Sequence, residues 1–190
     1  MKITKQVVVS FILLVIIASL YRVMPGRPFG FAPQWAMAIF GGAVISNKKF
    51  SFLLPLASMF VSDALYEILY INGVGNIPGF YSGQITNYIL FGAITVFGFF
   101  ITRISFKRIF AAALGAPTAY FFLSNSLVWL GGGGLTRPKT FVGLIMCYND
   151  GLPFYLWSIA ATLIFSAILF GSYYLATKNS VIAENKPVMI

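Results

Sequence analysis

Six apolar stretches, separated by short polar or Pro/Gly-rich breaks, organise this chain. They cover 7–23, 32–46, 50–71, 84–102, 109–130 and 152–176. A helix rises about 1.5 Å per residue, so most of these runs match the roughly 30 Å hydrocarbon layer of a bilayer. The second run is shorter. Its small residues Ala32, Ala36, Ala38 and Gly42 recur at helical spacing, which lets helices approach closely and predicts a segment shielded by its neighbours. The first run follows Lys2 and Lys5, as in a signal peptide, but no small-x-small cleavage site precedes Arg22, and it reads as a spanning helix. MPGRPFGF at 24–31, the Asn47-Lys48-Lys49 turn, the Gly-rich stretch 72–83, the basic turn 103–108 and a long loop at 131–151 divide the runs. Pro117 predicts a kink in the fifth run. The pattern predicts an all-α fold. It is a polytopic membrane protein, with a six-transmembrane-helix bundle over 1–177 and a polar, disordered cytoplasmic tail over 178–190.

Composition sharpens that reading. Of 190 residues, 59 % are hydrophobic and 9 % charged, against about 25 % charged in a soluble domain. The mean hydropathy is +0.88. Little remains for a soluble domain. The net charge of +9 sits in clusters between the apolar runs, the pattern of topology signals rather than of nucleic-acid binding. With the N-terminus inside, Lys2, Lys5, Lys48, Lys49, Arg103, Lys107, Arg108, Lys178 and Lys186 are cytoplasmic, while Arg22, Arg27, Arg137 and Lys139 are external. The expected location is the bacterial inner membrane, multi-pass, with both termini cytoplasmic.

The absence of histidine removes the commonest general base and metal ligand. Cys147 is the only cysteine, so an internal disulfide and a cysteine-based metal cluster are both excluded. A lone cysteine in an apolar chain is usually inert packing. Gly131–Gly134 lack the Lys-Ser/Thr of a phosphate-binding P-loop and read instead as a hinge for a lid. No catalytic residue, metal site or cofactor is expected, and the chain is not read as an enzyme.

The candidate chemistry lies on the third run, where Asp63 and Glu67 share one helix face at spacing i, i+4. A carboxylate at membrane depth costs about 2.5 to 3.5 kcal/mol, so both should face the bundle interior. Two readings stand side by side: a structural ion pair of Arg22 with Asp63 or Glu67, and a direct part in a ligand or ion site. Gln84, Asn87 and Tyr88 begin the fourth run at its outer end, and Asn125 and Trp129 end the fifth. With Glu67 they form a candidate substrate-binding set, over which loop 131–151 closes. Outer-leaflet Trp and Tyr are also common interface anchors.

The order of features adds a resemblance. Arg22, the Pro/Gly loop, APQWAMAIFGGAVIS, the basic turn, FLLPLASMFVSD and the later CYNDGLPF resemble substrate-binding S components of energy-coupling factor (ECF) transporters. They are closer still to a related, uncharacterised family of small six-span bacterial membrane proteins. The resemblance implies the S-component fold and an outer-half pocket. It also implies a capture subunit for a vitamin-like small molecule, energised by a separate membrane coupling protein and cytoplasmic ATPases. The Ala-xxx-Ala docking pattern of many S components is missing from 7–23. Two other classes compete: a structural or assembly subunit of a larger membrane complex, and an ion- or proton-coupled carrier using Asp63 and Glu67.

Overall fold

The computed structural model describes residues 5–132 and 135–184, and among these it is all-helical. The helices are α1 (Lys5–Val23), α2 (Gln34–Val44), α3 (Lys48–Ser51), α4 (Leu53–Ile71), α5 (Gln84–Phe99), α6 (Phe106–Gly131) and α7 (Phe141–Glu184). Phe52 between α3 and α4 keeps right-handed helical angles, so Lys48–Ile71 runs as one rod.

Two helices, Lys48–Ile71 and Phe141–Thr177, are long and apolar enough to cross a membrane. In their most apolar windows only 33 % and 28 % of residues are buried, whereas the core helix of a soluble domain is mostly covered. The burial pattern explains why. Ser19, Ser58, Ser62, Thr95, Ser158, Thr162, Ser166, Ala36 and Ala38 lie inside, while Ile12, Ile17, Leu20, Ile85, Ile89, Leu156 and Ile168 lie outside. Small and hydroxyl-bearing residues pack between helices, and many large aliphatics are turned away from the protein, although Met37, Ile39, Leu54 and Ile94 stay in the core.

α2 is the axle. It packs against α3, α4, α5, α6 and α7, and almost all of its residues from Gln34 to Gly42 are buried. At about 1.5 Å per residue it spans about 16 Å, shorter than the 32–46 run because Pro33 and the extended Ile45 bound it. Its crossing with α5 depends on glycine at two places. A Cβ on Gly42 would overlap the Thr95 carbonyl, and one on Gly98 would overlap the Ile39 carbonyl. Beyond that crossing Trp35, Phe91 and Tyr120 make an aromatic cluster, with Trp35 and Tyr120 centroids 4.6 Å apart. Lys48 Nζ donates to the Gly42 carbonyl at 2.8 Å, capping the C-terminal end of α2.

The last two expected boundaries differ. α7 begins at Phe141, so 141–151 is helix and not loop. Gly151 looks like a helix breaker, yet its missing Cβ makes room for the Asn125 side chain, which would lie 2.6 Å from such an atom. Pro153 sits inside α7, on an exposed face, and Pro117 inside α6, where it is buried among neighbouring helices. Of the expected disordered tail, 178–184 continues α7, and 185–190 lies outside the described residues, as do Lys2, Gly133 and Gly134.

Candidate functional site

α1 and α4 run parallel, joined by a ladder of polar groups. Ser19 Oγ donates to the Ser58 carbonyl at 2.8 Å, and Gln34 Nε2 reaches Ser58 Oγ and the Ala18 carbonyl, both at 3.2 Å. At the top of the ladder Arg22 Nη1 donates to Ser62 Oγ at 2.5 Å and pairs with Asp63 Oδ1. The small side chains of Ala18, Ser19, Ser58 and Ser62 allow the approach.

Asp63 is 1 % exposed, and its carboxylate is held from two further directions. Gln84 Nε2 donates to Oδ2 at 2.8 Å and the Tyr88 hydroxyl at 2.6 Å. One turn on, Asn87 donates to the Tyr81 hydroxyl at 2.8 Å and accepts from the Tyr120 hydroxyl. The network therefore ties α1, α4, α5, α6 and the 72–83 loop into one piece. Buried charge is tolerated when its lone pairs are this well used.

Glu67 does not join the Arg22 pair. Its carboxylate accepts the backbone N–H of Gly79 at 2.9 Å and of Phe80 at 3.2 Å, pinning loop 72–83 onto α4. Gly79 is what lets the loop come so close: a Cβ there would overlap the Asp63 carbonyl and crowd the Glu67 amide nitrogen. Glu67→Gln keeps the shape and loses the charge, so it should cost about 1 kcal/mol. Hydrogen exchange at the Gly79 and Phe80 amides should accelerate, and unchanged protection there would dismiss this role.

Asn125 and Trp129 stand apart from Asp63. Asn125 Nδ2 donates to the Phe121 carbonyl of its own helix at 2.8 Å, and its side chain lies against Gly151 of α7. Trp129 Nε1 donates to the Pro138 carbonyl at 2.8 Å, with Lys139 Nζ 5.2 Å from the ring centroid. Arg137 and Asp150 close the same corner with a fork of two 2.8 Å bonds. These residues staple 135–140 to α6 and α7. The expected lid 131–151 is thus largely a fixed helix end, because Ser126 and Cys147 Sγ meet Tyr148 and the Asn125 carbonyl along it.

The open space lies elsewhere. A cleft of ≈ 400 Å³ between loops 24–33 and 72–83 is lined by Arg22, Arg27, Phe29, Gly30, Ala32, Asp63, Tyr66, Ile77, Pro78 and Tyr81. None of Glu67, Gln84, Asn87, Tyr88, Asn125 and Trp129 lines it. Gln84 and Tyr88 support its floor through Asp63, and Asn87 supports Tyr81. Loop 24–33 is well anchored. Arg27 donates to the carbonyls of Arg22, Pro28 and Phe31 at 3.1, 3.1 and 2.8 Å, and the Tyr66 hydroxyl donates to the Arg22 carbonyl at 2.5 Å. Ser158 Oγ of α7 donates to the Gly30 carbonyl at 3.2 Å. Tyr81 caps the opening, and desolvation raises its phenol above the ordinary value of 10.0. A second concavity, ≈ 610 Å³, is lined by one face of α7 from Asn149 to Ala160, with no lining residue from another helix among the described residues.

A family model described as a family of unknown function, DUF6580, matches residues 2–185, and the chain belongs to that family. No curated protein and no solved structure matches it.

Proposed function

We propose that this member of a family without an assigned activity is a multi-pass membrane protein that captures a small molecule in the cleft between loops 24–33 and 72–83. The observation that carries the reading is the cleft itself. Two guanidinium groups, a buried carboxylate and two phenols converge there from α1, α4 and both loops, and its volume falls within the roughly 300–1,000 Å³ of small-ligand sites. Aromatic and apolar walls with few fixed polar groups suit a planar, vitamin-sized compound. The resemblance to S components points the same way, with energy supplied by a separate coupling protein and ATPases. Binding rather than chemistry is favoured, since the one carboxylate in the lining is held by Arg22, Gln84 and Tyr88 and the groups left over are hydrogen-bond donors. The carrier alternative is less well supported: three donors hold Asp63 and two amides hold Glu67.

Inside-out packing supports a bundle that crosses the bilayer several times, α2 being enclosed by its neighbours. The helix directions put Arg22, Arg27, Arg137 and Lys139 at the cleft end, and Lys48, Lys49, Arg103, Lys107 and Arg108 at the other. The positive-inside rule then makes the cleft external and both termini cytoplasmic. In a Cys147→Ser background, Thr136→Cys should react with a membrane-impermeant thiol reagent in intact cells and Lys48→Cys should not. Labelling at position 48 would reverse the orientation.

Thermal unfolding of the purified chain across a vitamin panel tests capture. A compound that raises Tm, and loses its effect in Ala32→Phe, supports it; that substitution fills the cleft and spares the charge pair. The assembly-subunit reading predicts no shift with any compound and a partner protein released on purification.

A further inference from the structure

The cleft's unused hydrogen-bonding capacity narrows the ligand, on the premise that the capture reading holds. Arg22 spends only Nη1, on Ser62 and Asp63. Among the described residues its Nε–H and Nη2 groups have no partner, although 20 % of the side chain remains exposed at the cleft. Those two nitrogens form one edge of the guanidinium, the parallel N–H fork that a carboxylate accepts with both oxygens. The Arg22 guanidinium lies 5.5 Å from the Tyr66 ring centroid, so a neighbouring face also holds it in place. Arg27 commits Nε and Nη1 to backbone carbonyls, while its Nη2 makes only a long 3.4 Å contact to the Tyr66 hydroxyl. The Tyr81 hydroxyl accepts from Asn87, and its own proton is left to donate.

On the acceptor side, Asp63 is the only carboxylate in the lining. Its Oδ1 takes Arg22, and its Oδ2 takes Gln84 and Tyr88. The cleft thus presents surplus donors and little acceptor capacity. Two cations against one anion also leave it with a net charge of one positive unit. Phe29, Ile77 and Pro78 supply an apolar wall.

We propose that the cleft binds a small organic monoanion, a carboxylate on an apolar or aromatic body. Its carboxylate sits on the free Nε–Nη2 edge of Arg22, assisted by Arg27 Nη2 and the Tyr81 hydroxyl, and its body lies on Phe29, Ile77 and Pro78. A single negative charge balances the site, whereas a dianion would leave it negative and an amine would meet the two guanidiniums. Arg22 thereby serves twice, neutralising Asp63 with one nitrogen and presenting the rest of the group to the ligand.

The test compares matched acid and amide probes on the full-length protein in nanodiscs: benzoate with benzamide, nicotinate with nicotinamide, and indole-3-acetate with indole-3-acetamide, with inorganic phosphate alongside. At least one acid should raise Tm where its amide does not. Arg22→Lys keeps a positive charge against Asp63 but has no fork, and it should weaken that acid at least about ten-fold. Arg27→Lys should weaken it less. Equal effects of acids and amides, an unaltered affinity in Arg22→Lys, or binding of phosphate in preference to every acid would overturn the proposal. If only neutral compounds stabilise the protein, and Ala32→Phe abolishes the effect, the carboxylate assignment falls and capture stands. If no probe of any charge stabilises it, both fall.

Discussion

Asp63→Leu is expected to destabilise the protein by about 3 to 5 kcal/mol, because it strands the Arg22 guanidinium without its counter-charge. The loss reaches further than one pair. Gln84 and Tyr88 lose their shared acceptor, Oδ2, and the junction of α1, α4 and α5 with loop 72–83 loosens with them. Asp63→Asn should cost less, since the amide oxygen can still accept, although its NH2 group then faces donors. The double variant Arg22→Met/Asp63→Leu removes both charges. It should recover much of the lost stability, as replacing a whole buried pair by apolar groups of similar volume is often neutral. Denaturation of the unaltered protein, Arg22→Met, Asp63→Leu and the double variant in one detergent decides the matter. Additive losses in the double variant would mean that Arg22 and Asp63 do not act as a pair.

Gly98→Leu should be as damaging, by a different route. The site sits where α5 crosses α2, and even a Cβ overlaps the Ile39 carbonyl and crowds the Ala43 amide nitrogen and the Gly42 Cα. Backbone, unlike a long side chain, cannot swing aside, so α5 must move away from the axle of the fold. Overpacking usually costs about 1 to 3 kcal/mol and more where backbone is displaced; about 3 kcal/mol or more is expected here. Gly171 gives the control, with nothing within 4 Å of an added Cβ. Gly171→Ala should be neutral or stabilising by up to about 1 kcal/mol through helix propensity. A Gly98→Leu protein that melts like its Gly171→Ala counterpart would refute the close crossing.

Much of the fold was legible in the hydrophobic pattern. α1, α4 and α5 begin or end close to the limits of their apolar runs, and the small-residue spacing in 32–46 foretold a helix enclosed by others. Pairwise geometry was not legible in this way. Gly151 read as the end of a loop, because a sequence does not say that it must make room for Asn125 on a neighbouring helix. Glu67 and Asp63 share a helix face and looked equivalent. What separates them is Gly79, whose lack of a side chain lets loop 72–83 descend and offer its amides to Glu67 alone. The cleft was not legible either, for a related reason. Polar residues at helix ends suggested a ligand set, but Gln84, Asn87 and Tyr88 spend their hydrogen bonds on Asp63, Tyr81 and Tyr120. Arg22 was recognisable from its position at the end of α1. That only one of its nitrogens would be consumed was not.

The central claim is that the cleft between loops 24–33 and 72–83 holds a small molecule. Native mass spectrometry of the full-length protein, purified gently from the membranes of cells grown in rich medium, tests it most directly. A bound species of vitamin-like mass is expected on the unaltered protein and should be lost from Ala32→Phe, in which the cleft is filled while the Arg22–Asp63 pair is kept. A spectrum showing only the bare chain and lipid, identical for both proteins, would contradict it.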